Sequence, residues 1–232
     1  MQSVAAYFDV ADASALHWAH RVNTAAKLEA ALGDPTLHVI EADIHFGPSD
    51  ATPLVAEAGQ HAEMDAATLI AAATTAGKAL KLDFHNPAAI EPTLAILRQM
   101  AVETPVILHT EIFSLLAAAN PAEGMEPEQF IRLCQMSCPD AVLSLGWSLK
   151  RESDVDGRVE EALIEQVSIM LTKGFGPVNY AIEIRAGYTP ARGGMAEHGA
   201  ALIFEPLPPL APTIGHLATN VVPLAQRARR VA

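Results

Sequence analysis

Two short runs, IEADIHF at 40–46 and LKLDF at 80–84, carry ionisable residues at alternating positions inside otherwise apolar sequence. Alternate side chains of a strand share a face. Glu41, Asp43 and His45 therefore fall on one side of the first run, and Ile40, Ala42 and Ile44 on the other. The second run repeats the pattern with Lys81, Asp83 and His85. Carboxyls two residues apart on a strand stand only about 7 Å from each other. Buried without a counter-charge, they raise each other's pKa and destabilise the fold. A divalent cation removes that penalty, and oxygen donors favour Mg2+, Ca2+ or Mn2+ over zinc. Asp83 is then the natural third ligand beside Glu41 and Asp43. The alternative is a dry ion cluster in which Lys81 and Arg185 neutralise the acids. Both readings fit the residue types.

Other residues of the same chemical kind lie nearby. His20, in AHRVN just before the acid-bearing run, reads either as a catalyst or as a satisfied core histidine. Lys81 can bind a phosphate oxygen as a point charge, or simply pair with Asp83. His45, His85 and His109 suit a supporting partner or a helix cap. Trp147, in SLGWSL, is either core packing or a cover over the site. Arg21, His109, Glu111, Trp147, Glu183 and Arg185 are the residues expected to contact a substrate.

The elements that must position these groups alternate along the chain. Strands are expected at ALHWAH, LHVIEADIHF, ALKLDF, PVILHTEIF, AVLSLGWSL, VNYAIEIRA and AALIFEP. Helices are expected near 24–33, 65–77, 88–103, 126–137, 156–173 and 214–230. Asn23 or Thr24 can cap the first of them, and Asn86 followed by Pro87 opens the third. Such alternation predicts parallel strands joined by crossovers. The ionisable residues gather toward the C-terminal halves of several strands, where (β/α) barrels place their chemistry; an open sheet gathers ligands at one crevice instead. The expected fold is one α/β domain over 1–232, a TIM-type (β/α) barrel. Because 186–199, AGYTPARGGMAEHG, is too irregular for a helix, the barrel is expected to be distorted or short of one βα unit.

The totals narrow the function. Half of the residues are hydrophobic and 18% are charged, enough to bury a large core. A formal net charge of -12 argues against a nucleic-acid partner. Cys134 and Cys138, four apart on one helical face, read as reduced, semi-buried thiols. The opening MQSVAAYFDVADAS lacks a basic n-region, and no apolar run reaches spanning length. The expectation is a cytoplasmic domain with no transmembrane segment and an oligomeric state the sequence leaves open.

HWAHRVNTAAKLEAAL, IEADIHF, LKLDF, PVILHTEI, DAVLSLGWS and AIEIRA follow one another as in the menorin-like domain family, from about residue 15 to 186, with LIFEP as a fainter echo. That family resembles the phospholipase-C-like phosphodiesterase barrels, alongside glycerophosphodiester phosphodiesterases and sphingomyelinase D. The resemblance implies His20 as general acid or base and Glu41 and Asp43 as ligands of a divalent cation, Mg2+ or Ca2+ foremost and Mn2+ possible. It also implies Asp83 as third ligand and Lys81 as phosphate contact. The implied reaction is hydrolysis or intramolecular transfer on a small or lipid-like phosphodiester.

One departure bears on turnover. The relatives carry a second histidine after strand two, whereas PLVAEAGQHAE places Glu57 there and His61 four residues later. Either Glu57 or His61 takes the second proton-transfer role, or the pair is broken. In the latter case the barrel is a catalytically degenerate ligand-binding or interaction domain.

Overall fold

The computed structural model describes residues 4–11, 15–47, 49–57, 59–110, 125 and 127–146, with the backbone of three further strands at 179–185, 201–205 and 222–223. A short helix, α1 (Val4–Tyr7), precedes β1 (Trp18–Ala19), α2 (Ala25–Gly33) and β2 (Val39–His45). A small excursion, β3 (Leu54–Val55) and β4 (Met64–Asp65), leads into α3 (Ala66–Thr75) and β5 (Ala79–Phe84). Then come α4 (Ile90–Gln99), β6 (Val106–Thr110), α5 (Pro127–Ser137) and β7 (Val142–Leu145). The last described strands are β8 (Asn179–Arg185), β9 (Ala201–Glu205) and β10 (Val222–Pro223). The helix expected near 156–173 lies outside the described residues, as do Glu111 and Trp147; within the helix expected near 214–230, the described residues Val222–Pro223 form a strand instead.

Local chemistry starts the helices where expected. Thr24 has an extended backbone and its hydroxyl accepts from the Lys27 N–H at 3.3 Å, while Glu63 accepts from the Ala25 N–H at 2.9 Å. Two of the donors that every helix start leaves unpaired are thereby satisfied. Asp65 caps α3 in the same way through the Thr68 N–H. Asn86 does not cap; its amide donates to the Phe46 carbonyl and ties the end of β5 to the end of β2.

All seven expected strands are present, and they pair in parallel in chain order: β1, β2, β5, β6, β7, β8, β9. One face is mostly apolar among the described residues. Ile40, Ala42, Ile44, Leu80, Leu82, Phe84, Leu108, Leu143 and Leu145 join Leu28 of α2, Leu69 and Ile70 of α3, Leu94 of α4 and Phe130 of α5 in a single core. Each such fully buried side chain contributes roughly 1.5–3 kcal/mol. The other face is layered: Leu16, Trp18, Val39, Ala79 and Ile107 form an apolar floor, closed from below by Val4, Phe8 and Val10. The ionisable residues stand above that floor.

The sheet corrects the expectation of a closed barrel. Among the described residues its ten strands do not close. The edge of β9 is taken by the antiparallel β10, and the edge of β2 is shared between β1, over Val39 and Ile40, and the antiparallel β3, over Ile44 and His45. No helix among the described residues is long and apolar enough to cross a membrane.

Candidate functional site

Five consecutive residues after β1 build one wall of the site. His20 Nδ1 hydrogen-bonds Glu41 Oε2 and its ring stacks on Trp18, with centroids 6.0 Å apart and planes 11° from parallel. Arg21 takes a left-handed backbone (φ 51°), which turns the chain so that the Val22 N–H reaches the Glu41 carbonyl at 2.8 Å. Lys27 Nζ steadies that turn by donating to the Arg21 carbonyl at 2.9 Å. Asn23 then clasps Asp43 twice: its amide donates to Asp43 Oδ2 at 2.7 Å, and its carbonyl accepts from the Asp43 N–H at 2.9 Å. Thr24 follows as the cap of α2. Asn23→Ala strands a buried N–H and a carboxylate oxygen, so urea unfolding is expected to show a loss of about 1–3 kcal/mol.

Glu41, Lys81 and Asp83 form the centre. Lys81, 1% exposed, places its ammonium 3.6 Å from Glu41 Oε1 and 3.3 Å from Asp83 Oδ2. Burial alone pushes the Glu41 carboxyl up. The Lys81 charge, the bond and charge of His20, and a hydrogen bond with Asp83 outweigh it and bring Glu41 down to about 2. Asp43 belongs to a second set: besides Asn23 it meets His85 Nε2 at 2.9 Å through Oδ1. On this face, among the described residues, the buried carboxyls of Glu41, Asp43 and Asp83 outnumber the buried ammonium of Lys81.

The parallel register lays Asp43, Asp83, His109 and Ser144 in one row across β2, β5, β6 and β7, each the direct neighbour of the next. Facing side chains in such a row project to the same side. His109 Nδ1 and Ser144 Oγ are 2.9 Å apart, and both residues are buried. Gly146 makes room for this imidazole: a Cβ there would stand 2.5 Å from His109 Cε1 and 2.9 Å from Nε2. Gly146→Ala must therefore displace the ring or the end of β7. The expected cost, read by chemical denaturation, is about 1–3 kcal/mol.

The structure thus gathers His20, Glu41, Asp43, Lys81, Asp83 and His109 on one face. Among the described residues, it does not bond Arg21, Glu57 or His61 to them. Arg21 is exposed, Glu57 bonds Gln60 Nε2 at 2.9 Å, and His61 is exposed. Glu183 and Arg185 sit on β8, two and four residues beyond the Ala181 that pairs with Ser144, and their side chains lie outside the described residues. Among the described residues, no three of His, Cys, Asp or Glu stand close enough together to hold one ion in this arrangement. Cys134 is buried inside the apolar core, where burial pushes its thiol up, and Cys138 is part-buried; neither forms a disulfide. Reading the sequence missed Asn23 as a clasp, Ser144 as the partner of His109, and Gly146. Only Gly146 left a signal, as a glycine directly after an apolar strand.

A family model described as the Menorin N-terminal domain matches residues 12–191. Among curated proteins, Protein FAM151B of Homo sapiens is 26% identical over 144 residues, covering 59% of this chain and 51% of that protein. The chain therefore spans about half the length of this curated relative. No solved structure gives a significant match.

Proposed function

We propose that this chain, which belongs to the menorin family, acts on small or lipid-like phosphodiesters by hydrolysis or intramolecular transfer, with a divalent cation. The observation that carries the reading is the contact chain His20–Glu41–Lys81–Asp83, with part-buried His20 leading to three buried residues above an apolar floor. Glu41 holds the Nδ1 side of His20, so Nε2 is the nitrogen that takes a proton from the attacking hydroxyl, as in other carboxylate–imidazole pairs. Lys81, fixed by two carboxylates, presents positive charge to the equatorial oxygens of the phosphoryl group. Hard oxygen donors and a surplus of buried carboxyls suit a cation such as Mg2+, Ca2+ or Mn2+; since no three described ligands stand close enough to hold one ion, Glu41, Asp43 and Asp83 would have to draw together to bind it. When bound, that cation supplies further neutralisation of phosphoryl charge.

The finer classification proposed with this reading is the phospholipase-C-like superfamily and a distorted (β/α) barrel. Its supports are seven parallel strands in chain order and one apolar face shared by the described helices. Thermal melts test the cation. Millimolar Mg2+, Ca2+ or Mn2+ is expected to raise the Tm, because a ligand bound only by the folded state stabilises it. Glu41→Ala abolishes the rise; no rise with any of the three ions contradicts the reading.

One observation favours a second reading, a barrel that binds a ligand without turnover. Glu57 accepts from Gln60 Nε2 and His61 is exposed, and neither hydrogen-bonds a residue of the His20 cluster. Hydrolysis of an aryl phosphodiester that disappears in His20→Ala eliminates this alternative.

A further inference from the structure

We infer that His109 is the second proton-transfer residue, donating to the leaving oxygen while His20 accepts from the nucleophile. This rests on the phosphodiester reading above. The two imidazoles stand on opposite sides of the phosphate contact. His20 follows β1 and bonds Glu41 of β2, Lys81 and Asp83 belong to β5, and His109 lies on β6 beyond them. His109 is the direct neighbour of Asp83 in the parallel register and projects to the same face. A phosphoryl group seated at Lys81 is therefore flanked by one histidine on each side, the disposition an in-line displacement needs.

The ring is also held in a way that a mere filler would not require. Ser144 Oγ fixes Nδ1 at 2.9 Å, in a pair of buried residues on adjoining strands. Gly146 packs so near that no side chain could share the space. A polar pair of this kind is costly in an apolar strand core unless satisfied, and here it sits in the same row as Asp43 and Asp83.

The step balances as follows. A water oxygen attacks phosphorus and its proton passes to His20 Nε2. The P–O bond to the leaving group breaks, and the Nε2 proton of the His109 imidazolium goes to the departing oxygen, while the Nδ1 proton stays on the ring and is donated to Ser144 Oγ. A phosphomonoester and an alcohol result, and one water is consumed. Solvent restores both imidazoles.

The test compares two phosphodiesters with the full chain and Mg2+: ethyl 4-nitrophenyl phosphate, whose leaving group needs no proton, and ethyl phenyl phosphate, whose leaving group is more basic. His109→Gln is expected to lower kcat/KM on the phenyl ester by about 10²–10⁴-fold, with a change of only a few-fold on the nitrophenyl ester. Ser144→Ala, which keeps the imidazole but frees its Nδ1, should show the same leaving-group dependence at smaller amplitude, and it keeps the proposal testable if His109→Gln does not fold. Equal losses on both esters in these variants overturn the proton-donor role. Full activity on both in His109→Gln overturns it as well. If the unaltered chain cleaves neither ester, the phosphodiester reading itself has failed, a result distinct from loss in the variants alone.

Discussion

Lys81→Met is expected to destabilise the protein by about 3–5 kcal/mol and to lower phosphodiester turnover by about 10²–10³-fold. Methionine fills much of the same volume, so packing is nearly conserved and the loss isolates the charge. Lys81 is 1% exposed and bridges Glu41 and Asp83. Without it two buried carboxylates face each other uncompensated, the arrangement that removing one partner of a buried pair always leaves. Urea unfolding at pH 7 measures the stability loss. Repeating it at pH 4 separates charge from packing, since protonation relieves carboxylate repulsion but cannot restore lost van der Waals contact. Lys81→Arg, which keeps the charge in a bulkier head, is expected to retain more stability than Lys81→Met. A stability loss in Lys81→Met that is the same at both pH values would assign the effect to packing.

Acid titration gives the second large effect. Glu41 is held at about 2 in the folded chain, against 4.5 for an ordinary glutamate. A carboxyl depressed by folding contributes stability that is fully present above its unfolded pKa and is lost as pH falls through the folded one. The window for Glu41 is therefore from about 4.5 down to about 2, and the contribution lost across it is of order 3 kcal/mol. Glu41→Gln carries no such titration. Denaturant melts at several pH values between 6 and 2 should show the unaltered chain losing of order 3 kcal/mol more than Glu41→Gln over that range. Parallel pH profiles for the two proteins would show that Glu41 is not the titrating group.

The strands were legible because their signal is local. Strict alternation in IEADIHF and LKLDF set Glu41, Asp43, Lys81 and Asp83 on one face, and the register of β2 with β5 places them side by side there. Thr24 and Asp65 cap helices from positions adjacent in sequence, so the signal for α2 could be read directly. What stayed hidden depends on contacts between distant residues. Asn23 reads as a helix cap next to Thr24, and only the neighbouring strand reveals that its amide clasps Asp43. His109 and Ser144 are 35 residues apart in sequence, and their pairing follows from register, which one-residue slips would alter. The two-residue strands β3 and β4 are too short for any periodicity to show. β3 takes part of the β2 edge beside β1.

Phosphorus-31 NMR of a glycerol phosphodiester incubated with the full chain and Mg2+ tests the central claim most directly, because it reports bond cleavage and product type together. The site described here predicts that the diester resonance gives way to a phosphomonoester or a cyclic phosphate, and that His20→Ala leaves it unchanged. A diester signal that persists with the unaltered chain under Mg2+, Ca2+ and Mn2+ alike, or cleavage that continues undiminished in His20→Ala, would contradict it.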